Sequence, residues 1–205
     1  MLDRLMRPLI DPPLKRIAAC LSQADVSANT LSLTGAGIAA LAGLALASSW
    51  YVPGLALIAL NRLLDGLDGA VARETAPTDF GGYLDSLCDY VFYIAVPLGF
   101  ACAAPQNQFP SLILISSFIL TAVSFLAYAA LAEKHGLKTE AQGQKSFYYM
   151  AGLAEGTETI LTFVAFCLWP QHYPLLAYAF ATLCLATVAG RVMAAHKVFA
   201  IGRIP

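Results

Sequence analysis

Residues 61–90, NRLLDGLDGAVARETAPTDFGGYLDSLCDY, carry five aspartates, four of them in two pairs. Asp65 and Asp68 are spaced i,i+3, and Asp85 and Asp89 i,i+4. On helices, residues at those spacings share a face. The turn between the pairs is short, roughly Glu74 to Phe80. That predicts two antiparallel neighbouring helices whose carboxylate pairs face each other. Clustered carboxylates repel, and an unpaired ionised carboxylate near lipid is costly, so intramembrane charge marks function. Divalent cations resolve the conflict. Oxygen-only ligands favour Mg²⁺, Mn²⁺ or Ca²⁺ over Zn²⁺. Two such ions could clamp a pyrophosphate and stabilise charge as a phosphoanhydride breaks. A purely structural role for four aspartates at these spacings is the weaker reading.

Small residues accompany the acids. Gly66, Gly69, Ala70 and Ala72 strip bulk from the first Asp-bearing helix. Glycine inside a helix costs up to about 1 kcal/mol relative to alanine. Close approach of a ligand would explain that cost, and so would tight helix–helix packing.

The elements that must hold these residues are membrane helices. Of 205 residues, 59% are apolar and 12% charged, whereas soluble domains carry about a quarter charged residues. A spanning helix needs roughly 20 mostly apolar residues. Six stretches approach that: about Leu31 to Trp50, Val52 into the Asp65–Asp68 segment, Gly81–Gly82 to Ala103, Pro110 to Ala132, Thr157 to Trp169, and Pro174 to Ala195. The fifth is short and could begin earlier, at Met150. The connections alternate in charge. All 12 basic residues fall on one side, and basic residues collect in the cytoplasm. An even number of spans then puts both termini and the Asp cluster there.

Residues 1–22 mix apolar residues with Arg4, Arg7, Lys15 and Arg16, as in an amphipathic helix lying on the membrane surface. A disordered basic arm is the alternative. Pro8, Pro12 and Pro13 interrupt the segment, and it lacks the apolar run of a secretory signal. The expected architecture is all-α: a single membrane domain over residues 1–205. Residues 1–22 would be juxtamembrane and 23–205 a bundle of six transmembrane helices. Cys20, Cys88, Cys102, Cys167 and Cys184 form no CxxC pair and read as small buried hydrophobes, with neither disulfide nor zinc. His135, His172 and His196 are dispersed.

The aspartate region resembles the CDP-alcohol phosphotransferase signature, D-x2-D-G-x2-A-R-x8-G-x3-D-x3-D. Asp65, Asp68, Gly69, Ala72, Arg73, Gly81, Asp85 and Asp89 match it in order, with seven residues rather than eight between Arg73 and Gly81. The six-span layout resembles the same family. The resemblance implies that Asp65, Asp68 and Asp85 hold metal, Mg²⁺ or Mn²⁺, as two ions. Asp89 would be the catalytic base that deprotonates the acceptor hydroxyl while also touching a metal. Asp65 and Asp68 would also border the nucleotide. Gly69 and Ala72 would make room for cytidine, Arg73 would meet phosphate, and CMP would leave. A CDP-linked lipid such as CDP-diacylglycerol would be the donor and a small alcohol the acceptor, in phospholipid biosynthesis. Membrane lipids and a second copy of the chain are the other expected partners, and no nucleic acid is. The expected location is a bacterial inner membrane, with the site facing the cytoplasm.

Four further residues are candidates for support or substrate contact. Gly81 belongs to the signature. Asn29 opens a stretch similar to the Asn-x-x-Thr with which family members begin their first helix, Ser32 standing where Thr is usual; Asn29 could equally be an N-cap. Lys145 and Arg191, with Lys134 and Lys138, could bind lipid phosphate or an anionic acceptor, or simply belong to a positive-inside surface. Two rival functions use similar residues. An aromatic prenyltransferase also combines Asp-rich membrane helices with Mg²⁺, and a cation carrier would hold its carboxylates nearer the bilayer midplane.

Overall fold

The computed structural model describes the backbone of residues 3–136 and 156–200, with side chains from residue 12 onward. Seven α-helices lie among the described residues: α1 Asp3–Gln23, α2 Ala28–Ala47, α3 Tyr51–Thr75, α4 Asp79–Ala103, α5 Gln108–Lys134, α6 Gly156–Leu168 and α7 Tyr173–Ala195. A 3₁₀ turn, Pro105–Asn107, leads into α5, and another, Pro170–His172, leads into α7. A π-helical turn, His196–Ala200, extends α7. No strand occurs among the described residues.

Four of these helices are long and apolar enough to cross a membrane: α2, α4, and α5 and α7 with their flanking turns. Six were expected, and the other two fall short for different reasons. The second half of α3 carries Arg62, Asp65, Asp68, Arg73 and Glu74, which spoil its hydropathy. The described part of α6 has only 13 residues.

The expected hairpin is corrected in two respects. The turn is shorter than anticipated, because α3 runs on to Thr75 and α4 already begins at Asp79. Thr78 makes this possible: its hydroxyl accepts a hydrogen bond from the Gly81 amide at 3.0 Å and caps α4. Ala76 turns the chain with φ 129°, a conformation that favours glycine. Second, α3 and α4 approach each other directly at few positions. The helix before them, α2, packs along both. Small residues permit that. A Cβ on Gly43 would lie 2.7 Å from the carbonyl oxygen of Ala95 on α4. One on Gly54 of α3 would lie 2.7 Å from the Leu46 side chain of α2.

At the Ala47 end of α2 the core is aromatic. Phe100 stacks on Tyr173 with ring centroids 4.4 Å apart, and Tyr51 stacks on the other side at 5.7 Å. Phe166 meets the edge of both Phe100 and Tyr173. Such pairs contribute about 0.5–1.5 kcal/mol each beyond area burial. The Tyr173 hydroxyl, buried with its ring, shares a 2.6 Å hydrogen bond with Ser111.

The N-terminal segment is helical, and α1 packs on α3. Leu14 and Ala18 are buried against a cluster that includes Leu67, Ala70 and Val71.

Candidate active site

The polar end of the α2–α4 unit is built where α2 and α4 begin and α3 ends. Ser27 caps α2, its hydroxyl accepting from the Thr30 amide at 3.2 Å. The N-cap is therefore Ser27, and Asn29 lies inside the first turn. Two helix N-termini at one end favour anions there through their exposed amides and aligned peptide dipoles.

Three of the expected aspartates converge. Asp65 of α3 and Asp85 and Asp89 of α4 each offer a carboxylate oxygen, all within 4.8 Å of one another. The fourth, Asp68, is 4% exposed and stands toward α2, where its Oδ2 accepts a 2.6 Å hydrogen bond from the Ser32 hydroxyl. Asp68 still lines the same cleft, together with Ser32, Gly35, Arg62, Asp65 and Asp85. The wedge of α2 between α3 and α4 supplies the floor of that cleft.

The small residues divide between the two explanations. Gly66 serves packing, since a Cβ there would lie 2.9 Å from Leu14 of α1. Gly69 has no such neighbour: a Cβ would meet only the Arg73 guanidinium, at 3.3 Å. Arg73 is exposed and Ala72 half-buried. Gly81 is crowded, with Thr78 Oγ1 3.0 Å and Asn29 Oδ1 3.3 Å from where a Cβ would be. Asn29 thus faces the start of α4.

Arg191 lies on α7. Its Nη1 donates to the Thr121 carbonyl at 2.9 Å and to Ser124 Oγ at 3.3 Å, tying α7 to α5. Lys145 lies outside the described residues.

Three site residues escaped the sequence reading. Ser32 was noted only for its place in a motif. Asn61 was passed over. Arg62 has no role in the sequence reading, yet its Nη1 donates to Asp89 Oδ1 at 3.0 Å and lies 3.4 Å from Asp65 Oδ2. A usable signal existed: Arg62 is i,i+3 from Asp65, so any helix puts it on the carboxylate face.

Carboxylates alone make a hard oxygen donor set. That set fits Mg²⁺ or Mn²⁺, and no thiolate or imidazole is needed to complete it. Over residues 26–201 the chain matches the family model described as CDP-alcohol phosphatidyltransferase. The chain belongs to this family. Its chemistry is the transfer of a substituted phosphoryl group from a CDP-linked donor to an alcohol, with a divalent metal cofactor.

Relatives agree with that placement. Inner membrane protein YnjF of Escherichia coli K12 is 47% identical over 197 residues, covering 96% of each chain. Archaetidylinositol phosphate synthase of Methanothermobacter thermautotrophicus is 32% identical over 162 residues, covering 78% of this chain and 72% of the relative. The fold is shared with phosphatidylinositol phosphate synthase of Mycobacterium tuberculosis. Its structure in complex with manganese and citrate gives a TM-score of 0.67 at 22% identity, covering 88% of this chain and 87% of that one. Its structure with CDP-DAG bound gives 0.62 at the same identity, covering 91% and 93%.

Proposed function

We propose that this family member is an integral inner-membrane enzyme that moves a phosphatidyl group from a CDP-diacylglycerol-type donor to a small alcohol, releasing CMP. The observation that carries the reading is the convergence of Asp65, Asp85 and Asp89 oxygens within 4.8 Å beside a cleft floored by α2. Asp65, Asp68, Asp85 and Asp89 are the proposed metal ligands. Divalent ions bound there would supply Lewis-acid stabilisation of charge on the pyrophosphate. Ser32 orients Asp68 by its hydrogen bond. Gly69 and Ala72 leave the nucleotide room on α3, with Arg73 folded over Gly69 to meet phosphate. Asp89 takes the proton of the acceptor hydroxyl. A carboxylate held next to cations is a weak base, so its effectiveness comes from position. The bond to phosphorus forms from the acceptor oxygen as the bond to CMP breaks. Gly81 and Asn29 support the start of α4, and Lys145 and Arg191 are proposed for the anionic part of a substrate.

The proposed topology keeps six spans, counting α3 and α6. The 25 residues of α3 make it about 37 Å long at 1.5 Å per residue, enough for a hydrocarbon core of about 30 Å. Arg62, Asp65 and Asp68 face the cleft, and the exposed Arg73 and Glu74 lie in the last turn of α3. Both termini and the site would then be cytoplasmic, within one domain over residues 1–205. A homodimer within the lipid is the proposed assembly, checked by light scattering in detergent. Cysteine labelling from each side of the membrane tests the topology, and a periplasmic C-terminus would sink it.

The function is tested with purified protein, labelled CDP-diacylglycerol and a panel of acceptors: inositol phosphate, glycerol phosphate, serine, choline and ethanolamine. Inositol phosphate leads the panel because the archaeal relative is an archaetidylinositol phosphate synthase. Acceptor-dependent CMP release is expected. Its absence with every acceptor would overturn the proposed donor.

A further inference from the structure

Arg62 places a cation among carboxylates proposed to bind cations, and the geometry around it is specific. Its side chain is only 13% exposed. Nη1 donates to Asp89 Oδ1 at 3.0 Å, and Nε donates to Asn61 Oδ1 at 2.8 Å. Asn61 is itself fixed: it is 3% exposed, and its Nδ2 donates to the Gly35 carbonyl of α2 at 2.8 Å. Because the amide nitrogen is committed to Gly35, the amide oxygen is presented to Arg62. The guanidinium carbon sits 3.9 Å above the Phe92 ring, and Phe92 is fully buried. Edge bonds and a face contact together leave the guanidinium one orientation. A run of hydrogen bonds therefore links the α2 backbone through Asn61 and Arg62 to Asp89 on α4.

From this chain of contacts we infer that Arg62 is a positioning residue for Asp89. It ties Oδ1, and so leaves Oδ2 as the atom that receives the proton of the acceptor hydroxyl. Charge-assisted bonds to guanidinium are short and directional, which suits that task. Lysine would keep the charge but lose the planar fork that reaches Asp89 and Asn61 together. The inference rests on the proposed role of Asp89 as base.

It also predicts effects of opposite sign on two measurements. A guanidinium beside Asp65 and Asp89 repels any divalent ion those carboxylates hold. Removing it should tighten metal binding while slowing turnover. A residue that merely holds the fold together would weaken both. Arg62→Met keeps an unbranched stem over Phe92 and removes the charge. Mn²⁺ binding, read by electron paramagnetic resonance without substrate, should become tighter by about 3- to 10-fold. The kcat for CMP release should fall by about 10-fold or more, with KM for the CDP-lipid little changed. Arg62→Lys should recover part of kcat. Wild-type kcat in Arg62→Met would overturn the proposal, as would Mn²⁺ binding that weakens together with thermal stability.

The double variant separates this proposal from the reading beneath it. If Asp89→Asn turns over normally, the base assignment fails whatever Arg62 does. If Asp89→Asn is slow and Arg62→Met slows it no further, Arg62 acts through Asp89. If Arg62→Met slows Asp89→Asn by its full factor, the positioning role is overturned and the base stands.

Discussion

The two ends of the α2–α4 unit are joined by different means. At the Ala47 end of α2 glycines allow close approach: Gly43 lies against the Ala95 backbone, and Gly54 against the Leu46 side chain. The rings of Tyr51, Phe100 and Tyr173 fill what remains. At the Ala28 end the helices meet through side chains, Ser32 with Asp68 and Arg62 with Asp89. A cleft lies among those groups. The first end can be dry and close-packed because nothing has to enter it. The second must admit a nucleotide and an alcohol, so its contacts are polar and can exchange partners. The comparison predicts that damage at the aromatic end costs stability and spares the chemistry, while damage at the carboxylate end does the reverse.

The largest stability effect should come from Phe100→Ala. It removes a fully buried ring stacked on both sides, and such truncations cost about 3–5 kcal/mol. Thermal denaturation in detergent reads the loss, and turnover per folded molecule should hold. A matching fall in turnover would blur the division between the ends. Gly43→Ala should cost less, about 1–3 kcal/mol, because the added methyl must push α2 away from the Ala95 carbonyl. Its effect should again appear in stability before activity. Smallest is Ala76→Gly. Relief of the φ 129° conformation should stabilise the protein by about 1 kcal/mol, part of the cost of such backbone strain. If the variant is instead destabilised, Ala76 is not strained and the short α3–α4 turn has another basis.

Much of this layout was legible in the residues. The span expected from Pro174 to Ala195 is α7, Tyr173–Ala195, and that expected to end at Ala103 is α4. Helix periodicity also put Asp65 on the face that meets Asp85 and Asp89. What escaped was which helices touch. In a membrane protein the outward faces are as apolar as the inward ones, so hydrophobic pattern does not name a helix's neighbours. The place of α2 between α3 and α4 was hidden for that reason, and with it the pairing of Asp68 with Ser32 rather than with the other three acids. Arg62 stands out in the sequence only as a basic residue flanking the Asp cluster, because its burial depends on Phe92 and Asn61. Phe92 does not advertise a polar site by type. The expected count of six spans met four helices that are long and apolar enough, because charges lower the hydropathy of α3 and the described part of α6 is short.

The most direct test of the account is CMP release from labelled CDP-diacylglycerol during Mn²⁺ titration, comparing wild type, Asp89→Asn and Asp68→Asn. Wild-type release should vanish with chelator and return with Mn²⁺ or Mg²⁺. Asp89→Asn keeps the shape of the side chain and one carbonyl oxygen but removes the proton acceptor. It should bind Mn²⁺ and CDP-lipid largely as before while turnover falls by about 10²-fold or more, the usual scale for a general base. Asp68→Asn should need more metal and recover in part when it is supplied. Undiminished release from thoroughly metal-free protein, near-normal turnover by Asp89→Asn, or the same metal dependence in both variants would contradict the account.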